Sequence, residues 1–150
     1  MRYYGFTNMY LSAVQVGVQN FHCVVDMGRE YDDPELIKQG DLSCMDYVEW
    51  ADNHKTVVYL NGGNQTSLIE LCDFFDNAAN SYAWGFFRED EESLNDCMTC
   101  VGIILPERIY ETAKLLREDK TGLLQATIQP DFTEWEINLM QILPTFRLAN

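Results

Sequence analysis

The order of apolar and polar residues along the chain predicts strands that alternate with helices. Tyr3–Leu11 is rich in aromatic residues, as strands often are. Ser12 and Gln15 have the spacing of a capping box, so we predict that a helix over Ser12–Asp26 follows this strand. Three later runs have strand character: Lys55–Leu60, Tyr82–Phe87 and Met98–Leu105. Caps and periodicity predict further helices at 35–39, 41–53, 67–78, from Pro106 onward, and at 134–143.

This alternation favours an α/β fold, a three-layer sandwich around a mostly four-stranded mixed sheet, built as one domain over residues 1–150. Residues 117–150 form an additional C-terminal helical tail. We expect Trp135 in this tail to be exposed, and two roles for the tail helix stay open. It covers an edge of the sheet, or it makes a homodimer contact, since Trp is enriched in interfaces.

A polar stripe runs along the predicted first helix. Its members are spaced by three and four residues and share one face: Ser12, Gln15, Gln19, His22 and Asp26. Nearly all other residues of this helix are apolar, so we expect it to be buried. Polar groups on a buried helix need partners or a water-filled cleft. Two interpretations stay open: one wall of a functional site, or a polar seam satisfied by neighbouring backbone.

The charge of the chain restricts its partners. Ten basic residues against 24 acidic ones give a net charge of −14. This charge opposes broad attachment to a nucleic-acid backbone, although a local basic pocket could survive it. Four cations lie on or beside the helix that follows Pro106, and acids interleave with them, which favours ion pairs on the helix face over an anion-binding strip: Arg108, Lys114, Arg117 and Lys120.

The sequence predicts neither a membrane span nor a metal site. No apolar run approaches about 18 residues, and the N-terminus lacks a signal pattern, so we expect a cytoplasmic protein, in the host cytoplasm if it is viral. The five cysteines have no secreted-scaffold spacing, which predicts reduced thiols. Cys97 and Cys100 form a single CxxC in a strand-like run, so we interpret them as core thiols and predict no metal and no cofactor.

The run from Gly17 to Asp26 resembles the first helix of type 2 peptidyl-tRNA hydrolases. That family places a Gln and a catalytic His at the spacing of Gln19 and His22, whereas Gln15 stands at or next to the position of the family's lysine. The resemblance extends over roughly residues 3–116 and implies that family's fold. Residues 117–150 have no counterpart in it.

The resemblance also implies a catalytic set. A His, an acid and a hydroxyl residue surround the scissile ester in that family, and they correspond here to His22, to Glu89 or Asp90, and to Ser93. An imidazole oriented by a carboxylate can activate water, and a hydroxyl can donate to an oxyanion. The neutral Gln15 and the four consecutive acids at 89–92 depart from what a tRNA substrate requires.

These departures favour a binding protein for a small nucleotide-type ligand that is not turned over. Gln15, Gln19 and His22 would contact base or ribose edges, Arg88 would face phosphate, and Trp84 or a neighbouring aromatic residue would stack on a base. Phages use small acidic proteins of this kind to sequester immune-signal nucleotides, which is a likeness of class alone.

Two alternatives stay open. The first is an active peptidyl-tRNA hydrolase or related esterase, which would act on a tRNA-derived ester with His22 and Glu89 or Asp90. The second is an acidic mimic of nucleic acid that occupies a basic site on a host protein.

Overall fold

The centre of the protein is a four-stranded mixed sheet in the order β2-β1-β4-β3. A computed structural model describes residues 1–149, without the side chains of residues 93 and 94. Strand β1 is parallel to β2 and antiparallel to β4, and β4 is antiparallel to β3. All eight residues of β4 are buried, because this strand is internal and both of its faces are covered. The strands are β1 (Arg2–Asn8), β2 (Val57–Gly63), β3 (Trp84–Arg88) and β4 (Met98–Leu105).

The helices begin where polar side chains can cap them. Ser12 and Gln15 form the predicted capping box, and Thr133 and Glu136 form a second one. The helix predicted at 67–78 begins earlier, at Gln65, because the side chain of Asn64, and not of Ser67, accepts the capping hydrogen bond from the backbone. The helices are α1 (Ala13–Tyr31), α2 (Pro34–Lys38), α3 (Leu42–Glu49, continued by a π-helical turn at Trp50–His54), α4 (Gln65–Phe75), α5 (Glu91–Leu94), α6 (Glu107–Glu118), α7 (Leu123–Ile128) and α8 (Glu134–Ile142).

Helices cover both faces of the sheet, which confirms the mixed α/β architecture. On one face, Cys23 of α1 and Tyr47 of α3 pack against Tyr3 and Ile104. The opposite face carries α4, α6 and α8, whose side chains form the larger core together with residues such as Phe6 and Leu105: Leu68, Leu71, Phe75, Ile109, Ala113, Leu139 and Met140. The likeness to the hydrolase fold stays a prediction.

The expectation that α1 is buried over most of its girth is wrong. Val14 is 77% exposed and Phe21 is 65% exposed, whereas Val16 and Cys23 are buried. The helix contacts the sheet through one face only, and it has apolar side chains on both faces. Periodicity cannot distinguish these two apolar faces, because it reports composition and not the position of the sheet.

The expectation for Trp135 is also wrong. Its ring is 5% exposed and stacks on Phe74 with 5.1 Å between the ring centroids, and its Nε1 donates to the Phe74 carbonyl at 3.0 Å. Helix α8 is therefore part of the core. The segment after α8 lies along β2, an edge strand, where the amide of Asn61 donates to the Arg147 carbonyl at 2.8 Å.

No helix in the described part of the chain is long and apolar enough to cross a membrane.

Candidate functional site

Gln19 connects α1 to the end of β3 through both atoms of its side-chain amide. Its Nε2 donates to Oε1 of Glu89 at 2.6 Å, and its Oε1 accepts from Oγ1 of Thr99 at 2.7 Å. The side chain is 4% exposed. A buried amide with both ends paired avoids the free-energy cost of an unsatisfied polar group.

A β-bulge creates this arrangement. Phe87 pairs with Cys100 and Arg88 pairs with Met98, which leaves Thr99 as the additional residue of β4. Thr99 is thereby turned towards α1, and its hydroxyl also lies 3.3 Å from the Phe87 carbonyl. The Glu89 amide donates to the Cys97 carbonyl at 3.1 Å, so the backbone holds Glu89 directly beyond the bulge.

His22 lies one turn after Gln19 and is exposed. Its ring stacks on Phe87, with 4.7 Å between centroids and 17° between planes. The resemblance to the hydrolase family implies that a carboxylate, Glu89 or Asp90, orients this imidazole. The hydrogen bond to Oε1 of Glu89 comes instead from Gln19.

A second polar group lies deeper under α1. Oδ1 of Asn20 accepts from the Tyr3 hydroxyl at 3.0 Å and from the Cys100 thiol at 3.1 Å, while its Nδ2 donates to the Val16 carbonyl at 2.7 Å. Burial raises the pKa of Tyr3 and of Cys100 well above their ordinary values, which keeps both groups neutral. Sequence analysis missed Asn20, because this residue lies outside the predicted polar stripe and no local pattern marks it as buried.

The other predicted site residues lie elsewhere. Trp84 packs with the core on the α4 side, and its ring contacts Phe75. Arg88 donates to the Asp96 carbonyl at 3.1 Å and pairs with the Asp96 carboxylate at 3.7 Å. Gln15 uses its side-chain oxygen to cap α1. Asp90 is exposed, and the side chain of Ser93 is outside the described residues. The structure thus joins Gln19 to Glu89 and stacks His22 on Phe87, while Trp84 and Arg88 make their contacts with other residues.

A cleft of about 300 Å³ opens between α6 and the start of β1. Three cations line it: Arg2, Lys114 and Arg117. Among the described residues, none of these three forms an ion pair, so the predicted ion pairing along this helix is wrong for Lys114 and Arg117. Two acids, Glu111 and Glu118, also border the cleft.

Aromatic and apolar side chains form the rest of this cleft. The Arg2 guanidinium lies 4.0 Å from the centroid of the Tyr110 ring, in a cation–π contact. Tyr4 lies beside Tyr110, with 6.3 Å between ring centroids. Burial raises the pKa of Tyr4, and the nearby Arg2 charge opposes this effect only in part. The floor is apolar and consists of Leu60, Ala113 and Leu143.

Within the described residues, no three His, Cys, Asp or Glu side chains are grouped closely enough to hold a metal ion. The five cysteines are free, and four of them are buried.

No protein-family model matches this chain, and a search of curated proteins finds no match.

Proposed function

We propose that this protein binds a small nucleotide-type anion in the cleft between α6 and β1 and does not turn it over. The observation that carries the proposal is the charge at this cleft. Three cations without an ion pair among the described residues converge there, in a chain whose net charge is −14. These three cations outnumber the two acids that border the cleft, Glu111 and Glu118, so the lining carries an excess of positive charge that attracts an anion.

The shape of the cleft supports the same ligand class. Its volume of about 300 Å³ lies at the lower end of the range for small-molecule pockets, which suits one nucleotide better than a long polymer. Lys114 and Arg117 are exposed and free to contact phosphate. The planar guanidinium of Arg2, held over Tyr110, offers a surface on which a base can stack.

The contacts of Glu89 support binding without turnover. A general base in an esterase needs a neighbour that orients its imidazole. Glu89 accepts its side-chain hydrogen bond from the Gln19 amide, and His22 instead stacks on Phe87. The esterase alternative with His22 and Glu89 or Asp90 stays a prediction.

We therefore put the ligand in the cleft and not at the residues suggested by the sequence. Gln15 caps a helix and Arg88 is paired with Asp96, while Trp84 packs on the other side of the sheet from Gln19. Such side chains cannot converge on one small molecule without breaking those contacts.

The test is a thermal shift assay with a panel of linear and cyclic mononucleotides and dinucleotides and with inorganic phosphate. Binding at 100 times Kd adds about 2.7 kcal/mol to the free energy of unfolding, which corresponds to roughly 5–10 °C in a domain of this size. We expect one nucleotide to produce such a shift, and we expect chromatography to recover it unchanged after incubation.

The double variant Lys114→Gln/Arg117→Gln should lose this shift. Arg29→Gln/Lys38→Gln is the matched control, because it removes the same charge from exposed residues of α1 and α2. A shift that survives in the cleft variant would refute the proposed site. Hydrolysis of a model peptidyl-tRNA that His22→Ala abolishes would favour the esterase. The nucleic-acid mimic would be favoured if no compound of the panel shifted the melting temperature and if the protein bound a basic host protein through Glu89–Glu92.

A further inference from the structure

The outward face of α1 carries an apolar stripe that stays exposed in the protomer, although the Phe21 ring lies 6.3 Å from that of His22 on the same helix. Its members are exposed by 77%, 45%, 65% and 40%, and we call them the outer stripe: Val14, Val18, Phe21 and Val25. They lie directly opposite the residues that α1 buries against the sheet. Their spacing of four, three and four residues is the spacing of a coiled-coil seam. An exposed seam of this kind indicates a protein contact.

The outer stripe is uncharged in a highly charged molecule. No Asp, Glu, Lys or Arg occurs from Tyr3 to Val25, although the chain contains 34 such residues in total (10 basic and 24 acidic). A cation-free surface lacks the electrostatic attraction that supports binding to anionic lipid or nucleic acid. Contact through this surface places no ionised side chain of the run from Tyr3 to Val25 of one molecule against that of another. The charge pattern therefore fits a second copy of this chain.

Gly17 gives an independent indication. It lies within α1, where a glycine costs roughly 0.5–1 kcal/mol relative to alanine. A Cβ atom at this position would meet nothing within 4 Å, so packing inside the protomer does not require a glycine. Gly17 borders the outer stripe, three residues after Val14 and four before Phe21. A glycine there allows the backbone of another helix to approach closely.

We propose that the outer stripe pairs with the same stripe of a second copy, with the two α1 helices antiparallel about a two-fold axis. The C-terminal part of α1 carries Asp26, Arg29 and Glu30, whereas the run from Tyr3 to Val25, which includes the N-terminal part of α1, carries no Asp, Glu, Lys or Arg. An antiparallel pair sets each charged end beside an uncharged one and also opposes the two helix dipoles. A parallel pair would bring the same acids of two copies together. An isologous contact of this type closes as a dimer.

The test is sedimentation of the full chain from about 1 µM to 500 µM. We expect a species of twice 17.4 kDa that gives way to one of 17.4 kDa in Phe21→Asp, since a charge in the seam must be desolvated on pairing. Leu123→Asp is the matched control, because Leu123 is exposed by 71% on α7, away from the stripe. It should remain dimeric.

The substitution Gly17→Ala distinguishes an effect on dimer formation from an effect on the stability of the monomer. In the dilute monomer this change should raise the melting temperature, because alanine favours the helix and meets no neighbour. In the same variant the dimer dissociation constant should rise at least tenfold, because the added methyl groups separate the helices. Monomer at every concentration, or a dimer that Phe21→Asp leaves intact, would overturn the proposal. Monomeric protein that binds liposomes through Phe21 would overturn it as well. The proposal does not depend on the cleft, because the two lie on opposite sides of the sheet.

Discussion

At the scale of single residues, the amide of Gln19 is held by hydrogen bonds at both of its polar atoms. It accepts from Thr99 and donates to Glu89, and these partners come from β4 and from the residue after β3. The three residues therefore hold α1, the bulge and the following loop in one arrangement. Because the amide is buried, each of its hydrogen bonds counts towards the free energy of unfolding.

Gln19→Ala should lower the free energy of unfolding by about 1–3 kcal/mol, because it leaves the Thr99 hydroxyl and the Glu89 carboxylate without this partner. Urea denaturation followed by circular dichroism measures the change. Gln125→Ala is the control: Gln125 is exposed on α7, and its truncation should alter stability by less than about 0.5 kcal/mol. Equal effects of the two substitutions would contradict the role of Gln19.

A second residue-scale cluster ties α8 to the rest of the protein. Glu136 is 6% exposed and accepts hydrogen bonds from the Tyr82 hydroxyl and the Arg108 guanidinium. Arg108 also donates to the Tyr82 hydroxyl at 2.7 Å, and Thr133 donates its amide to the other Glu136 oxygen at 2.9 Å. Burial alone would raise the pKa of Glu136, but the hydrogen bonds from Tyr82 and Thr133 and the charge of Arg108 together lower it below its ordinary value of 4.5.

A carboxyl group whose pKa is lower in the folded state stabilises the protein at pH values above its unfolded pKa, here 4.5, and this contribution is lost as the pH falls through the folded pKa. We therefore expect Glu136→Gln to reduce the free energy of unfolding at pH 7 by about 1–3 kcal/mol, the value of hydrogen bonds to a charged group. The difference between variant and parent should shrink below pH 4.5, as urea titrations at several pH values would reveal. A difference that is constant over this range would exclude Glu136 as the titrating group.

At the scale of elements, sequence reasoning works where a local signal determines the outcome. The boundaries of β4 and the capping box of α1 follow from the run Met98–Leu105 and from the pair Ser12 and Gln15, and both are confirmed. The buried face of α1 could not be predicted, because apolar residues lie on two opposite faces and only the sheet selects between them. The hydrogen bond between Gln19 and Glu89 spans 70 residues and depends on a bulge that no local pattern marks.

The C-terminal tail shows most clearly that local sequence patterns do not predict contacts between distant parts of the chain. The sequence analysis predicts an exposed Trp135, yet its ring packs against Phe74 and Phe75 of α4, which lie far earlier in the chain. A chain truncated after Asp119 would lose Trp135, Leu139 and Met140 from the core. Such a truncation would test folding and could not separate edge cover from dimer contact.

The edge of β2 offers a better test at this scale. The Asn61 amide donates to the Arg147 carbonyl at 2.8 Å, and the Ala149 amide donates to the Tyr59 carbonyl at 2.9 Å. Removal of residues 147–150 should expose this edge of the sheet. Exposed edges tend to pair with other chains. We expect hydrogen exchange at Asn61 to accelerate at least tenfold while exchange in β4 stays unchanged, and light scattering to rise at high concentration. Unchanged exchange at Asn61 would show that this segment does not protect the edge.

At the scale of the whole molecule, the charge of −14 acts in opposite directions on the two proposed contacts. Pairing through the outer stripe brings two acidic bodies together through an uncharged seam, so added salt should screen the repulsion and strengthen the dimer. Anion binding at Arg2, Lys114 and Arg117 depends on direct attraction, so added salt should weaken it. The Debye length falls from about 10 Å at 0.1 M to about 3 Å at 1 M, so added salt increasingly screens charges that lie more than a few ångströms apart.

We therefore expect the dimer dissociation constant to fall and the nucleotide dissociation constant to rise between 50 mM and 500 mM sodium chloride. Sedimentation measures the first and calorimetry the second, in the same buffers. Sodium sulfate at matched ionic strength is the control for the dimer, because a divalent anion screens charge and also strengthens apolar burial, and should tighten pairing further. A dimer that dissociates in salt would mean that charges hold it together, which the uncharged run from Tyr3 to Val25 cannot supply. The contact would then lie elsewhere on the surface, and the outer stripe would need another explanation.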